Sequence, residues 1–372
     1  MPGPGEYWLG RIKARARVYD AITDKAAAII QEAYTRAEMQ ISEDIRDILR
    51  SYRRNFGISE KQAILYLSEP APKEIINRLK ARIMALPEGK EKRRLEAQVF
   101  ADAYRARIDR LQAAQISAKT ALAEVAGVEI QTSRAALMDV ADASYYRTMF
   151  DIQKNTGYQF ESAGMSTRRA MGILREKWSG DNYSQRVWRN TNHTAREIQI
   201  AMQQLNSIGE VSQDTYVNIV ANFEKGVKEK IDQARYAANR ILATEQTYTA
   251  NQCELEAYED AGIEEYYFVA VLDGKTSEIC QELDGKVFRV SEQVPGKNCP
   301  PMHPWCRSTT APKLSYVNRA EHRRWSRNPA TGKEELVPGD MTYKEWRAAI
   351  DAAQGRERMR PLDAGPREEN QQ

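Results

Sequence analysis

Tyr266-Tyr267-Phe268-Val269-Ala270-Val271-Leu272, closed by Asp273-Gly274, is the stretch on which the fold class turns. Aromatic and β-branched residues suit a pleated surface, and the run ends in a turn pair, so it predicts a strand. The sequence upstream has a different character. No proline occurs between Pro87 and Pro295, about two hundred residues. Proline breaks helix interiors, so its absence permits long helices, and a composition rich in Ala, Glu, Lys, Arg, Gln and Leu favours them. The expected class is α+β and predominantly α-helical, with long N-terminal helices and a small mixed α+β C-terminal domain.

Working outward, Ile22, Ala26, Ile29, Ile30 and Tyr34 recur at helical spacing inside a predicted helix from Trp8 to Asn55. Ser59-Glu60-Lys61-Gln62 reads as a capping box for a short helix through Leu67. After the break at Glu69-Pro70-Ala71-Pro72, helices are expected over Lys73–Leu86 and Glu91–Val125. Another is expected between Gly127 and Gly157, a further one over Thr167–Trp178, and more up to about Tyr258. Downstream of the strand, Leu283-Asp284-Gly285-Lys286 through Val290 carries the Asp-Gly signature of a tight hairpin. The last sixty residues read as basic and irregular, with one short helix over Thr342–Ala353 and a frayed polar tail. Three parts result: a helical arm and body over 1–160, an α+β domain over 161–320, and a partly disordered basic extension over 321–372.

Lys and Arg number 55 against 52 Asp and Glu, so the net charge of +3 does not itself indicate nucleic acid. Local surpluses are more informative. From Lys73 to Lys119 there are twelve basic residues against six acidic. Within that stretch Lys90, Lys92, Arg93, Arg94, Arg105, Arg107 and Arg110 are candidates for sequence-independent contact with the phosphate backbone of duplex DNA. A second surplus, eleven against seven, runs from Lys313 to Arg360 and includes Arg323 and Arg324. The competing reading of both is a solvated helix surface. No apolar run reaches the length of a bilayer span, and the N-terminus lacks the features of a signal peptide, so a soluble protein made in a cytoplasm is expected.

All four cysteines lie in the last third, at Cys253, Cys280, Cys299 and Cys306. Cys280, Cys299, His303 and Cys306 form a candidate four-ligand zinc set, since zinc favours thiolate and imidazole ligands in tetrahedral array. A closed set of this kind would staple the chain and leave no open position for catalysis. The competing reading is reduced, buried cysteines beside a loop histidine. No other cofactor is called for.

Three ordered blocks in this region resemble the Mu F-like head morphogenesis family of tailed phages. They are Asp273-Gly274-Lys275-Thr276-Ser277-Glu278-Ile279-Cys280, Leu283-Asp284-Gly285-Lys286-Val287-Phe288, and Pro300-Pro301-Met302-His303-Pro304-Trp305-Cys306-Arg307-Ser308-Thr309-Thr310. Upstream, Ser179-Gly180-Asp181 through Arg186-Val187-Trp188, Ala243-Thr244-Glu245 and Tyr258 through Ile263 are similar to further blocks of the family. Tyr7-Trp8 with Arg11 resembles its N-terminal start. Many relatives carry cysteine where Ser277 and Ser308 stand here, and Cys299 has no counterpart among them. A metal site would therefore use a different ligand set, or hydrogen bonds hold the motif instead.

The resemblance implies a minor capsid protein with a structural role and no enzymatic one. It implies assembly with the portal protein, contact with the major capsid or scaffolding protein, and a part in DNA packaging or ejection. It places the chain in the capsid interior near the portal, with host cytoplasm as the site of assembly and no membrane partner. The Trp8–Asn55 helix would lay an apolar face into a partner groove. The rival class is enzymatic. His303, Asn318 and His322 superficially suggest a metal-dependent nuclease. Arg307-Ser308-Thr309-Thr310 with Glu334-Glu335 loosely suggests an ADP-ribosyltransferase-like toxin domain.

Overall fold

The computed structural model describes residues 4–53, 68–105, 108–158, 164–204, 213–314, 323–329 and 331–358. Its helices are α1 (Pro4–Arg53), α2 (Lys73–Ala85), α3 (Lys90–Arg105), α4 (Arg110–Thr156), α5 (Thr167–Arg175), α6 (Tyr183–Gln204) and α7 (Gln213–Asp260). There follow β1 (Glu265–Val269), α8 (Glu278–Leu283), β2 (Val287–Arg289), β3 (Thr309–Pro312), β4 (Arg323–Arg327), β5 (Glu334–Pro338) and α9 (Tyr343–Arg358). The class is predominantly α with a small α+β part, as the strand at Tyr266 and the long proline-free stretch predict. The chain divides into two compact units, each assembled from separated segments. One comprises Met1–Tyr19, Ala141–Ser166 and Thr247–Gln372; the other comprises Asp20–Val140 and Thr167–Gln246.

The all-helical unit is built on a ladder of buried residues in α1: Ala26, Ile30, Tyr34, Ala37, Ile41 and Ile45. These recur every three or four residues and so share one face. They pack on Ala118, Leu122 and Val125 of α4, Ile198 of α6 and Ile231 and Leu242 of α7. The apolar face of α1 is thus consumed inside the protein's own core and is not free to fill a partner's groove. Ile29, expected on that face, is instead 48% exposed. Helix α4 is buried on a second side, where Ala113, Ile116 and Ala123 meet Leu79 and Ile83 of α2 and Leu95 and Val99 of α3. Burial on both sides explains its alanine-rich composition without a single apolar stripe.

Two helix limits differ from expectation. The stretch expected as one helix over Glu91–Val125 holds two, α3 and α4. Asp109 caps α4: its Oδ1 accepts from the Gln112 amide at 2.7 Å while Gln112 Oε1 accepts from the Asp109 amide at 3.1 Å. This reciprocal pair satisfies two end groups that would otherwise lack partners. Gly127 does not end a helix; α4 runs through it. A Cβ there would lie 3.4 Å from the Pro87 ring, so glycine sits where that ring packs on the helix. The capping box expected at 59–62 lies outside the described residues.

In the other unit the sheet order is β2-β1-β3, antiparallel throughout, with Tyr266 opposite Phe288 and Phe268 opposite Thr310. Tyr266 and Phe268 alternate inward along β1. Asp284-Gly285 does not form the expected hairpin. It ends α8 and turns the chain into β2, with Gly285 at φ +79°, a conformation favourable only without a Cβ. The C-terminal stretch expected to be irregular contains the β4–β5 hairpin, with Trp325 opposite Leu336, and then α9 where a short helix was expected. Tyr343, Trp346 and Ile350 of α9 pack on Leu272, with Val337 and Met341 alongside. Among the described residues no helix is long and apolar enough to cross a membrane.

Candidate functional site

The short helix α8 presents Cys280 from its first turn. Ser277 caps that helix, its Oγ accepting from the Cys280 amide at 3.4 Å. Opposite lies the turn His303–Cys306, closed by the Cys306 amide donating to the His303 carbonyl at 3.1 Å, with Trp305 at φ +63°. The turn puts both end side chains on one side. Cys280 Sγ lies 3.8 Å from Cys306 Sγ and 3.5 Å from His303 Nε2. Ser277 Oγ lies 2.8 Å from the same ring nitrogen, and His303 Nδ1 is 2.8 Å from the Pro304 carbonyl. That carbonyl fixes the proton on Nδ1 and leaves Nε2 a lone pair. The thiols sit among Phe268, Ala270, Leu283, Phe288 and Met302.

The two thiols are not equivalent. The hydrogen bond from Cys280, helped by backbone groups at Met302 and Ser308, pulls Cys306 down to about 5 against the opposing effect of burial. Cys280 moves the other way, raised by its hydrogen bond to Cys306 and by burial.

Three of the four expected ligands come together and the fourth does not. The sulfur and nitrogen atoms of Cys280, His303 and Cys306 all lie within 4.8 Å of one another. Cys299 is fully buried elsewhere, its Sγ 3.7 Å from Gln252 Nε2 and 3.5 Å from the Pro300 carbonyl. Burial, with the nearby Glu254 carboxyl, raises its thiol well above the ordinary range. The chain between Cys280 and Cys299 is long enough to return, but it brings back the wrong residue; the position beside His303 belongs to Ser277.

Two arginine forks flank the cluster. Arg307, directly after Cys306, donates to both oxygens of Asp273 at 2.5 and 2.9 Å. Burial would raise the Asp273 carboxyl, but the Arg307 bonds, together with Lys275 and Thr276, hold it below the usual carboxylate range. Asp284 is a fuller hub. Its Oδ1 accepts from the Ala270 amide at 2.8 Å and Arg324 Nη2 at 3.1 Å, and its Oδ2 from Arg324 Nη1 at 2.9 Å and the Tyr343 amide at 2.8 Å. One carboxylate thereby joins the end of β1, the β4–β5 hairpin and the start of α9. Arg324, counted above with a basic surplus, is buried in this fork and cannot meet phosphate. A further buried network in this unit joins Arg15 to Asp151 at 3.1 Å and to Glu254 at 3.5 Å.

Two of the upstream blocks, at Ser179–Trp188 and Ala243–Glu245, meet in the helical unit. Glu245 Oε1 accepts from Arg186 at 2.6 Å and Glu245 Oε2 from Trp178 Nε1 at 3.3 Å, while the Arg186 guanidinium stacks on the Trp178 ring at 4.5 Å. Burial pushes Glu245 up to about 7 against the pull of Arg186. Glu129 is more isolated: Tyr34 Oη donates to it at 3.0 Å, and burial raises it to about 7.

The residues of the enzymatic readings have structural partners. Thr309 Oγ1 lies 3.3 Å from Glu254 Oε2, Thr310 Oγ1 lies 3.3 Å from the Tyr258 hydroxyl, and Glu334 pairs with Lys13 at 2.6 Å and Arg327 at 3.3 Å. Asn318 and His322 lie outside the described residues. The basic candidates divide as well. Lys90, Arg93 and Arg94 are exposed on α3. Lys92 is buried and paired with Glu88 at 2.6 Å, and Arg110 is paired with Glu69 at 3.1 Å. The side chains of Arg105 and Arg107 lie outside the described residues.

Residues 217–311 match the family model described as Phage Mu protein F like protein. The matched segment includes Asp273, Cys280, Asp284, His303, Cys306 and Arg307, and stops short of Arg324. No curated protein and no solved structure is significantly similar to the chain.

Proposed function

We propose that the chain is a minor capsid protein working with the portal, a reading supported by the match of residues 217–311 to the Phage Mu protein F like family model and by its likeness to phage head morphogenesis proteins. In this reading it joins the procapsid through the portal, with the major capsid or scaffolding protein as further neighbours. It then supports DNA packaging or ejection from the capsid interior. The observation that carries a structural role is the use made of the family's own residues. Asp273, Asp284 and Arg307 are spent on bidentate forks that tie strand, hairpin and helix together. Such charge-assisted forks fix geometry. The portal contact must use surface other than the apolar face of α1, which is already buried. Exposed Lys90, Arg93 and Arg94 are the part of the basic stretch suited to packaged DNA.

Co-expression with a phage portal protein, followed by size-exclusion chromatography and analysis of purified heads, tests this. Co-elution and incorporation into heads are expected. A chain that elutes alone at roughly micromolar concentration, where specific complexes persist, and is missing from heads would overturn the portal role.

A further inference from the structure

We propose that Cys280, His303 and Cys306 bind a single zinc ion at a site whose fourth position lies beside Ser277 and is completed by its hydroxyl or by water. Zinc takes thiolate sulfur at about 2.3 Å and imidazole nitrogen at about 2.0–2.1 Å in tetrahedral array. Those bond lengths require sulfurs about 3.8 Å apart and sulfur to nitrogen about 3.5 Å. The separations in the protein are 3.8 Å between Cys280 and Cys306 and 3.5 Å between Cys280 and His303 Nε2. Both edges that meet at Cys280 therefore match such a tetrahedron, and the third, from Cys306 to His303, is within 4.8 Å. The ring is oriented from behind by the Pro304 carbonyl, the arrangement that metal-bound histidines use.

Charge agrees with geometry. Binding forms two Zn–S bonds and releases the protons the two thiols hold. Two thiolates, one neutral imidazole and one neutral oxygen donor around Zn²⁺ give a complex of zero net charge. That suits a site walled by Phe268, Leu283, Phe288 and Met302, where an uncompensated charge would be costly. The donor set also selects the ion, since soft sulfur with imidazole in tetrahedral array disfavours magnesium and calcium. Ser277 is only half-buried, so the fourth position opens toward solvent. The site differs from a closed four-ligand staple in that respect, and Cys299 has no part in it.

The test uses the full chain, reduced, stripped with chelator and titrated with Co²⁺. One equivalent should bring up a sulfur-to-cobalt charge-transfer band and the visible bands of tetrahedral cobalt, both abolished by added Zn²⁺. Cys280→Ser and Cys306→Ser should each lose most of the charge-transfer intensity, whereas Cys299→Ser should keep it. Since either loss could follow from misfolding, Ser277→Cys supplies a gain. A third thiolate in the open position should strengthen the band and tighten zinc binding about tenfold or more. No cobalt band in the native chain would overturn the site. Loss of the band in Cys299→Ser would overturn the ligand set, and unchanged affinity in Ser277→Cys would overturn the fourth position. None of these outcomes depends on the portal, so the site and the proposed function fail separately.

Discussion

Asp284 is fully shielded from solvent and accepts four hydrogen bonds, two from Arg324 and two from backbone amides. A buried carboxylate of this kind tolerates its site only while the cation is present. Arg324→Met is therefore expected to destabilise the unit containing β1–β5 by about 3–5 kcal/mol, the cost of leaving a buried charge unpaired. Denaturant unfolding read by hydrogen exchange in residues 265–358 measures it, and a loss under about 1 kcal/mol would show the fork to be dispensable. Glu129 makes a pH-dependent prediction in the helical unit. Its carboxyl sits at about 7 when folded, against an ordinary value of 4.5, because burial disfavours the charge. Between those values the folded state binds the extra proton, so stability is full below the lower value and falls as pH rises through 7. The gap amounts to on the order of 3 kcal/mol once both states are ionised. Glu245 adds to the same trend. Glu129→Gln keeps an acceptor for Tyr34 and removes the charge. It should leave this unit more stable than the native chain at pH 8 and reduce the slope between pH 5 and 7. Parallel pH profiles would place the carboxyl elsewhere in its titration.

At the scale of elements, Gly127 shows how an intact helix can look broken in sequence. Glycine costs about 1 kcal/mol relative to alanine inside a helix, and a Cβ here would meet Pro87 at an ordinary contact distance of 3.4 Å. Gly127→Ala should accordingly stabilise the chain by about 0.5–1 kcal/mol, while Gly127→Leu should destabilise it by pushing Pro87 off the helix; thermal denaturation of both variants decides. The strand β1 and the span of α1 were legible because their side chains follow simple periods. The α3–α4 boundary was legible in principle, through the reciprocal pair Asp109 and Gln112, but its signal lies in two polar residues inside a continuous apolar pattern. The β4–β5 hairpin was not legible. Along β4 the buried positions are Arg324 and Ser326 and the exposed ones include Trp325, the reverse of the usual alternation. Only the distant partner Asp284 makes an inward arginine affordable. The candidate site was half legible for the same reason: spacing grouped Cys280, His303 and Cys306, which the fold does bring together, but could not distinguish Cys299 from Ser277, whose positions depend on how the chain returns.

For the molecule as a whole, net charge is close to balance, so any affinity for packaged DNA rests on where cations remain free. Lys90, Arg93 and Arg94 stand three and four residues apart on α3, hence on one helix face, and all three are exposed. Lys92 points to the opposite side and is neutralised by Glu88. If that face meets the genome inside a head, it contacts phosphates and reads no bases, so affinity should be the same for unrelated duplexes and fall steeply with salt. Reversing Lys90, Arg93 and Arg94 together to glutamate should remove about three phosphate contacts and lower the slope of log affinity against log salt by about 2.7. Stability should change by less than about 0.5 kcal/mol, because these side chains are solvated. Lys92→Glu serves as the contrast: it should cost stability by placing an unpaired carboxylate at a buried position facing Glu88 while leaving the salt slope unchanged. Fluorescence anisotropy with two duplexes at two salt concentrations separates the cases. No binding by the native chain at low salt, or a triple variant with an unaltered slope, would assign the basic face of α3 to solvation alone.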